Sequence, residues 1–500
     1  MTEKYDIAII GSGLGGLSCG VILSKEGFKV CIIEQHSVVG GCLQSFKRNN
    51  TIFDTGIHYI GSMGKGQIMR QFMRYYGVDD KIKTMSVDSD AYETICIDSE
   101  QYQLPIGAKQ FVDKLGQQFP EDKLGLSHLI SKIMEVKNSI GIEQLRAGHI
   151  SDASLQHYIS VSAYQTIAEH INNPILQNIL GSSSLLFGGE KQTANFYHYA
   201  MVMGSNIEGA HHILGGTQTI ANAMANVIKQ NGGTIITSEA ITNIITSRTN
   251  EVQYLKTSKG REIKAQYYIS SAHPQVTFDL VEPTPIIKKP FLNRIKTLRN
   301  TYGMFSVYLT LKRQTIPFKN TFYFIHANQS SWFDEDAMKG RSGESSLMLS
   351  FRPSEDGKWA ESATLITPIS PCDYSSWTNT HINHRGSDYE MWKKSVANIM
   401  ISRAQKVCSG LSDAITHIYT ASPLTFRDYT FTPQGSAYGL VKNYQNPLPT
   451  TIPTQTKLRN LLLTGQNVFV PGAIGVTMTA AMTCANIIGE EYLAKKIAEA

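Results

Sequence analysis

The first 34 residues contain a strand, a glycine-rich turn, a helix and a second strand, an order that leaves few possible folds. Residues 6–10 are apolar and mostly β-branched after Asp6, and residues 11–16 fit the pattern G-x-G-x-x-G. Residues 29–34 are apolar after Lys29 and end in an acid, Glu34. This arrangement predicts an α/β, Rossmann-like fold whose first turn binds the diphosphate of a dinucleotide.

Each residue type in this segment has a physical role. Gly11 allows the tight turn, Gly13 lets the backbone approach a pyrophosphate, and Gly16 lets the helix pack closely on the strand. The phosphates are expected at the helix N-terminus, where unpaired N–H groups favour negative charge. Glu34 is placed to accept hydrogen bonds from a ribose. The alternative is a glycine-rich turn without a ligand, which the flanking strands, the helix and the acid disfavour.

Composition narrows the class of protein. A chain of 500 residues exceeds one hydrophobic core and suggests two or three domains. The net charge of +5, without a long basic tract, gives no argument for a nucleic-acid partner. The cysteines are scattered, odd in number and without a C-x-x-C pair, which favours a reducing compartment and no disulfide framework or metal site. The polar start carries no signal peptide, so we expect a cytoplasmic protein.

Residues 460–489 carry no charged side chain. A membrane-spanning helix needs about 20 predominantly apolar residues, whereas Gln466, Asn467, Pro471 and several glycines and threonines interrupt this segment. We interpret it instead as a strand at 460–467, a loop at 468–475 and a helix at 476–488 that pack against a neutral ligand inside the protein.

The stretch from Val38 to Gly61 contains a glycine pair and the sequence Phe-Asp-Thr-Gly-Ile-His-Tyr-Ile-Gly at 53–61. It resembles the retinol saturases, within the carotenoid/phytoene desaturase and carotenoid isomerase family of FAD-dependent oxidoreductases. Segments 207–218 and 460–476 are similar to the same family. The resemblance implies FAD as the cofactor, bound by a glutathione-reductase-type domain, together with a discontinuous α+β substrate domain.

The resemblance places FAD against residues from three parts of the chain. Asn467 stands where the family usually has Asp, which leaves one polar contact in doubt. The mid-sequence strand that begins at Ala240 is expected beside the adenine. The expected cofactor-binding residues are Gly11, Ser12, Gly13, Leu14, Gly15, Gly16, Glu34, Gln35, Gly40, Gly41, Ile241, Ala272, Gly465, Gln466, Asn467, Gly475 and Val476.

The same segments suggest the domain organisation. Residues 1–85, 205–275 and 455–500 are expected to form the FAD-binding domain, and residues 86–204 and 276–454 the substrate-binding domain. Within the first, 252–256 and 263–269 are interpreted as one β-hairpin. No second G-x-G-x-x-G follows a strand, so a dedicated NAD(P)H domain is not expected. NAD(P)H would then reduce the flavin by a transient visit or through another protein.

Three residues are candidates for catalysis. His58 either orients the FAD loop or takes part in the reaction. His198, in the aromatic cluster 196–199, either packs in the core or lines a pocket as a proton donor. Tyr438 either faces the substrate or packs. Glu208 is expected to be a structural acid, with a proton relay as the alternative.

The resemblance implies chemistry on an apolar polyene or isoprenoid, and the stretch 53–61 favours a saturase-type reductase. A desaturase or cis–trans isomerase of the same family is the alternative, and a non-catalytic lipid-escort protein of the same fold is another. An amine oxidase fits residues 38–61 less well. Residues 288–299 form either an ordinary surface helix or an interfacial helix resting on the inner face of a membrane. The oligomeric state is left open.

Overall fold

A computed structural model of the protein describes residues 2–151, 153–247, 250–326 and 330–500. Its strands are β1 (Thr2–Lys4), β2 (Ile7–Ile10), β3 (Val30–Ile33), β4 (Ser45–Arg48), β5 (Thr51–Asp54), β6 (Ile60–Gly61), β7 (Thr84–Ser86), β8 (Glu93–Ile97), β9 (Glu100–Leu104), β10 (Ala210–Ile213), β11 (Thr234–Ile236), β12 (Ile241–Thr246), β13 (Val252–Thr257), β14 (Glu262–Lys264), β15 (Tyr267–Ser270), β16 (Gly303–Leu311), β17 (Phe322–His326), β18 (Leu347–Pro353), β19 (Ala360–Ile369), β20 (Ile415–Ala421) and β21 (Leu461–Leu463). Its α-helices are α1 (Leu14–Lys25), α2 (Ile68–Tyr76), α3 (Ala108–Gln118), α4 (Lys123–Asn138), α5 (Ile142–Arg146), α6 (Ala163–His170), α7 (Pro174–Gly181), α8 (Phe196–Glu208), α9 (Gln218–Gln230), α10 (Pro274–Leu280), α11 (Lys289–Thr297), α12 (Glu335–Met338), α13 (Ser387–Val407), α14 (Leu411–Ala414), α15 (Pro423–Thr430), α16 (Pro447–Thr450), α17 (Gly472–Ile488) and α18 (Glu490–Ala498).

A parallel sheet gathers strands from three distant parts of the chain. Its order is β11-β3-β2-β15-β21, and every neighbouring pair is parallel. Strands β2 and β3 are buried along their whole length, as expected for apolar strands covered on both faces. Helix α1 packs against α9 and α17. The segments expected to build the FAD-binding domain therefore share one sheet, while the domain boundaries stay a prediction.

A second, mostly antiparallel sheet separates two hydrophobic cores. Its order is β20-β16-β19-β18-β17-β8-β9. One face contributes Met348 and Ile366 to the large core that also contains the parallel sheet. The opposite face contributes Leu349 and Leu365 to a smaller core, which α13 covers. Because side chains alternate along a strand, the register of this sheet decides which residues face the parallel sheet.

Two sequence-based boundaries are wrong. Strand β13 pairs with β14 as the hairpin predicts, but this second strand ends at Lys264. Residues 267–270, expected to belong to the same hairpin, form β15 in the parallel sheet instead. Tyr268 and Ile269 are fully buried there, and that burial is not available in an exposed hairpin. Helix α17 begins at Gly472 rather than Val476, directly after Pro471, whose extended backbone (ψ of 172°) forms the N-cap and ends the preceding loop.

The basic segment 288–299 forms α11, and its apolar face is occupied. Ile295 is buried, and Phe291, Leu292 and Leu298 pack against the core around β12 and β13. The ring of Phe291 meets Phe278 edge-on at 4.9 Å between centroids. In the part of the chain that the structure describes, no helix combines the length and apolar character needed to cross a bilayer. Membrane contact through this helix stays a prediction.

Asp54, at the end of β5, links three parts of the fold. Its Oδ1 accepts hydrogen bonds from the Thr217 N–H at 2.8 Å and from the Ser45 hydroxyl at 2.6 Å. Its Oδ2 pairs with the guanidinium of Arg352 on β18. Asp54 is only 8% exposed, so these partners replace the water that a carboxylate would otherwise bind. The Asp-Thr-Gly turn is thereby tied to the start of α9 and to the second sheet.

We predict that Asp54→Asn lowers the free energy of unfolding by about 2–4 kcal/mol, because it removes a buried charge partner of Arg352 and places an amide against a backbone donor. Asp356→Asn is the control, since Asp356 is exposed and its partners are local. Denaturant unfolding of the two variants measures the difference. Equal stability of the two variants would contradict the structural role of Asp54.

Candidate functional site

A continuous cavity of about 610 Å³ lies between the two sheets. One end is bounded by the glycine-rich turn, by Glu34 and by Ala240 and Ile241. The other end is bounded by apolar side chains, which are Leu185, Leu186, Val202, Met304, Met348 and Ile366. The cavity is therefore polar and backbone-lined at one end and apolar at the other, as expected for a site that binds two different groups side by side.

The backbone shows two of the roles predicted for the glycines of the first turn, the tight turn and the close packing, and it leaves space for the third. A Cβ on Gly16 would lie 2.1 Å from the carbonyl oxygen of Gly11, so only glycine allows α1 to approach the strand this closely. Gly11 has φ of +88°, which L-residues rarely adopt. A Cβ on Gly13 would meet nothing within 4 Å, and Gly13 lines the cavity. The backbone at Gly13 is thus open to a ligand.

Glu34 is held rigidly at the end of β3. Its Oε2 accepts hydrogen bonds from the Ser12 N–H at 2.8 Å and the Ser12 hydroxyl at 2.7 Å, and its Oε1 accepts one from the His36 N–H at 2.8 Å. Charge-assisted bonds of this kind are stronger than neutral ones. The carboxylate of Glu34 is therefore held in one orientation at the cavity edge.

Three residues predicted to contact the cofactor do not line the cavity. Ser12 is buried beneath Glu34, and its role is to position that carboxylate. Gly16 and Gly475 serve packing instead, because a Cβ on Gly475 would lie 2.2 Å from the Val470 carbonyl. The other predicted cofactor residues line the cavity, and they are Gly11, Gly13, Leu14, Gly15, Glu34, Gln35, Gly40, Gly41, Ile241, Ala272, Gly465, Gln466, Asn467 and Val476.

Asn467 fixes the turn that carries Tyr438. Its Oδ1 accepts a hydrogen bond from the Leu440 N–H at 2.9 Å, and a Cβ on Gly439 would lie 2.1 Å from that oxygen. The Lys442 ammonium donates to the Asn467 carbonyl at 2.6 Å, and burial lowers the pKa of Lys442 to about 7. The side-chain oxygen of Asn467 is thus used inside the protein, and its contact with the cofactor stays a prediction.

His58 lines the cavity, and its Nε2 has no hydrogen-bond partner in the described part of the chain. Burial lowers the pKa of His58 to about 4, with the Asp54 carboxylate acting in the opposite direction and the Arg352 guanidinium adding to the decrease. His58 is therefore neutral at physiological pH. A neutral imidazole can form a hydrogen bond to a ligand but is not a strong acid.

The expectation that His198 lines a pocket as a proton donor is wrong, and its alternative role in the core fits the structure. His198 is not among the residues that line the cavity; its Nε2 donates to the Phe469 carbonyl at 3.0 Å. Burial lowers its pKa to about 3, and the nearby Lys442 ammonium lowers it further. His198 lies on the side of α8 that meets the 468–471 loop, so its imidazole faces that loop.

Tyr438 lines the cavity. Burial raises its pKa above the usual range for tyrosine, and the neighbouring Cys42 raises it further. Tyr438 is thus a neutral phenol in the cavity wall.

Glu208, expected to be structural, pairs with the buried ammonium of Lys137 and accepts a hydrogen bond from the Ser62 hydroxyl at 2.6 Å. Glu208 joins α8 to α4 and to the loop after β6.

The sequence analysis did not identify Tyr59, a residue of the cavity wall, or the buried Glu93 that it contacts. Tyr59 lines the cavity, and its hydroxyl donates to Oε1 of Glu93 at 2.7 Å. Asn206, also in the wall, places its amide 3.5 Å from the same hydroxyl. Glu93 has no exposed surface. The one available signal was a carboxylate inside the apolar run of β8, which is unusual for a buried strand.

Comparison with known proteins identifies the family. A profile described as flavin containing amine oxidoreductase matches residues 14–362. All-trans-retinol 13,14-reductase of Danio rerio is 26% identical, covering 97% of this chain and 86% of the relative. Prolycopene isomerase 1 of an Oncidium hybrid cultivar is 23% identical, covering 99% of this chain and 85% of the relative. The crystal structure of an oxidoreductase from Methanosarcina mazei superposes with a TM-score of 0.65 at 14% identity, covering 96% of this chain and 99% of that one.

These matches agree with the fold and with the glycine-rich turn. The structural match, at low identity, supports the fold alone, while the profile spans well over half of the chain. The expectation of an FAD-dependent oxidoreductase is confirmed. The chain belongs to the flavin containing amine oxidoreductase family.

Proposed function

We propose that this protein is an FAD-dependent reductase that saturates a C=C bond in a polyene or isoprenoid lipid. The observation that carries the proposal is the single cavity that joins the glycine-rich turn to an apolar floor. Relatives named as retinol 13,14-reductases, which the chain covers over most of their length, support the choice of substrate class and of reduction.

The cavity fits FAD in its chemistry. The open backbone at Gly13 and the N-terminus of α1 suit the diphosphate, and the fixed carboxylate of Glu34 suits ribose hydroxyls. Ala240 and Ile241 would contact the adenine, while residues 465–467 and Val476 would hold the flavin end. When bound, the flavin supplies hydride transfer. The protein supplies position, exclusion of water and a proton.

The apolar end suits an unactivated hydrocarbon chain. Met304, Met348 and Ile366 offer no hydrogen-bonding groups, so binding there depends on shape and apolar contact. A polyene has no carbonyl to hold negative charge, and reduction therefore requires a proton donor close to the reacting carbon. The wall groups that could serve include the hydroxyls of Tyr59 and Tyr438.

Desaturation or cis–trans isomerisation is the second candidate, favoured by the relatives named phytoene desaturase and prolycopene isomerase. Both reactions use the same cavity, and the direction depends on the redox partner. Reduction by NAD(P)H through a transient visit or through another protein is part of the proposal, as are a cytoplasmic location and peripheral membrane contact through 288–299.

We predict that Gly13→Ala impairs FAD binding, whereas Gly16→Ala impairs the stability of the fold. The methyl group on residue 13 projects into the cavity and weakens FAD binding by roughly tenfold or more, with little change in the stability of the FAD-free protein. The methyl group on residue 16 meets the Gly11 carbonyl and destabilises the fold by about 1–3 kcal/mol. FAD titration and thermal unfolding of both variants separate the two effects. Similar stability losses in both would contradict the assignment of Gly13 to ligand contact.

We predict that the reduced protein, mixed anaerobically with retinol and with carotenoids, is reoxidised by at least one polyene. The product gains two hydrogens by mass, since the flavin passes on a hydride and the protein a proton. A loss of two hydrogens or an unchanged mass with isomerised product would select the desaturase or isomerase instead. Flavin that stays reduced with every polyene tested would contradict the proposed function. A colourless protein that takes up no FAD would favour the lipid-escort alternative.

A further inference from the structure

Glu93 lies on the face of the second sheet that looks toward the cavity. In the parallel pairing of β8 with β17, Glu93 is aligned with Phe322 and Ile95 with Phe324. Phe324 is aligned in turn with Met348, and Met348 with Ile366. Residues aligned across strands share a face, and residues two apart along a strand share it as well. The carboxylate of Glu93 therefore lies on the same face as the apolar cavity floor.

The carboxyl of Glu93 is connected to the cavity through one side chain. Its Oε1 accepts a hydrogen bond from the Tyr59 hydroxyl at 2.7 Å, whereas its Oε2 has no hydrogen-bond partner among the residues that the structure describes. The Tyr59 ring is fixed by stacking on Phe322, with 4.1 Å between ring centroids. The hydroxyl of Tyr59 is thus held between a buried acid and the cavity.

No cation shifts the titration of Glu93 among the described residues. The titratable side chains that interact with it are Tyr59 from the loop before β6, Tyr92, which directly precedes β8, and Tyr199 from α8. A buried carboxylate without a cation or a second hydrogen-bond partner is costly, and the neutral acid is the form that such a site favours. A neutral acid has a proton to give.

We propose that Tyr59 donates the proton that completes saturation of the C=C bond, and that Glu93 returns a proton to Tyr59. This inference rests on the proposed function. With bound reduced flavin as the source of the hydride that one carbon receives, the Tyr59 O–H bond breaks as a C–H bond forms at the other carbon. The resulting phenolate takes the carboxyl proton of Glu93, whose carboxylate then takes a proton from solvent. One C=C bond and one proton from water are consumed for each hydride.

The electrostatics of the pair support this relay. Burial raises the pKa of Glu93 to about 7, although the hydrogen bond from Tyr59 acts in the opposite direction. Burial and then the neighbouring Glu93 raise the pKa of Tyr59 well above its usual range, so Tyr59 remains protonated until the reaction. Because reduction needs the protonated acid, proton transfer should slow as the pH rises through about 7.

The test compares Tyr59→Phe, Glu93→Gln and the control Tyr92→Phe. Tyr92 is also buried beside Glu93, but its hydroxyl has no hydrogen-bond partner and does not line the cavity. Single-turnover reoxidation of the reduced holoenzyme by a polyene that the wild type reduces should slow by roughly 10²–10⁴-fold in Tyr59→Phe. In Glu93→Gln, the reoxidation rate should no longer decrease as the pH rises through about 7. Tyr92→Phe should keep both the wild-type rate and its pH profile, and all three should bind FAD normally.

A second measurement needs no turnover. Infrared spectra of the resting wild-type protein below pH 7 should contain the carbonyl stretch of a buried protonated acid, which titrates near pH 7 and is missing from Glu93→Gln. Because the folded state binds this proton more tightly than the unfolded state, wild-type stability should fall relative to Glu93→Gln as the pH rises from about 4.5 through 7.

The outcomes separate the two proposals. If the wild type reduces a polyene and Tyr59→Phe does so equally fast, the relay is overturned and the proposed function is unaffected. A pH profile unchanged in Glu93→Gln, or an acid band that survives in that variant, overturns the role of Glu93. A wild type that reduces no polyene overturns both proposals.

Discussion

The close approach of helix α1 to the Gly11 carbonyl is the contact on which the rest of the structure depends. A side chain on Gly16 would occupy the space of that carbonyl oxygen, so the glycine is what sets the distance between the helix and the strand. The same turn receives two distant segments, because Gly15 packs on Gly465 and Gly41 packs on Gly13. Backbone from three parts of the chain thus converges on one point, and the cavity begins there.

The second sheet gives the cavity its chemical character. Its register places apolar side chains from β16, β18 and β19 on the face toward the parallel sheet, while α13 covers the opposite face. A polar, backbone-rich end and an apolar end consequently share one continuous volume. Such a site can hold a charged dinucleotide and a hydrocarbon next to each other, with water excluded from the place where they meet. Asp54 and Arg352 tie the two sheets together beside it.

The sequence predicted best what depends on neighbours in the chain. The strand, turn, helix and terminal acid of residues 6–34 are local, and they are present as expected. The end of the β13–β14 hairpin was misjudged because the burial of Tyr268 comes from strands distant in sequence. The direction of His198 depends on which side of α8 meets the 468–471 loop, and the hydrophobic pattern does not decide this. The pairing of Tyr59 with Glu93 joins residues from separate elements and has no local signature.

The central claim is that flavin and polyene occupy one cavity, and difference spectroscopy tests it most directly. The oxidised holoenzyme would be titrated with a polyene while the flavin absorbance is followed. The account predicts a saturable change in the flavin bands for the wild type, and its loss in Met348→Trp, which fills the apolar floor without touching the glycine-rich turn. A flavin spectrum that no polyene changes, or an unaltered titration in Met348→Trp, would contradict the account.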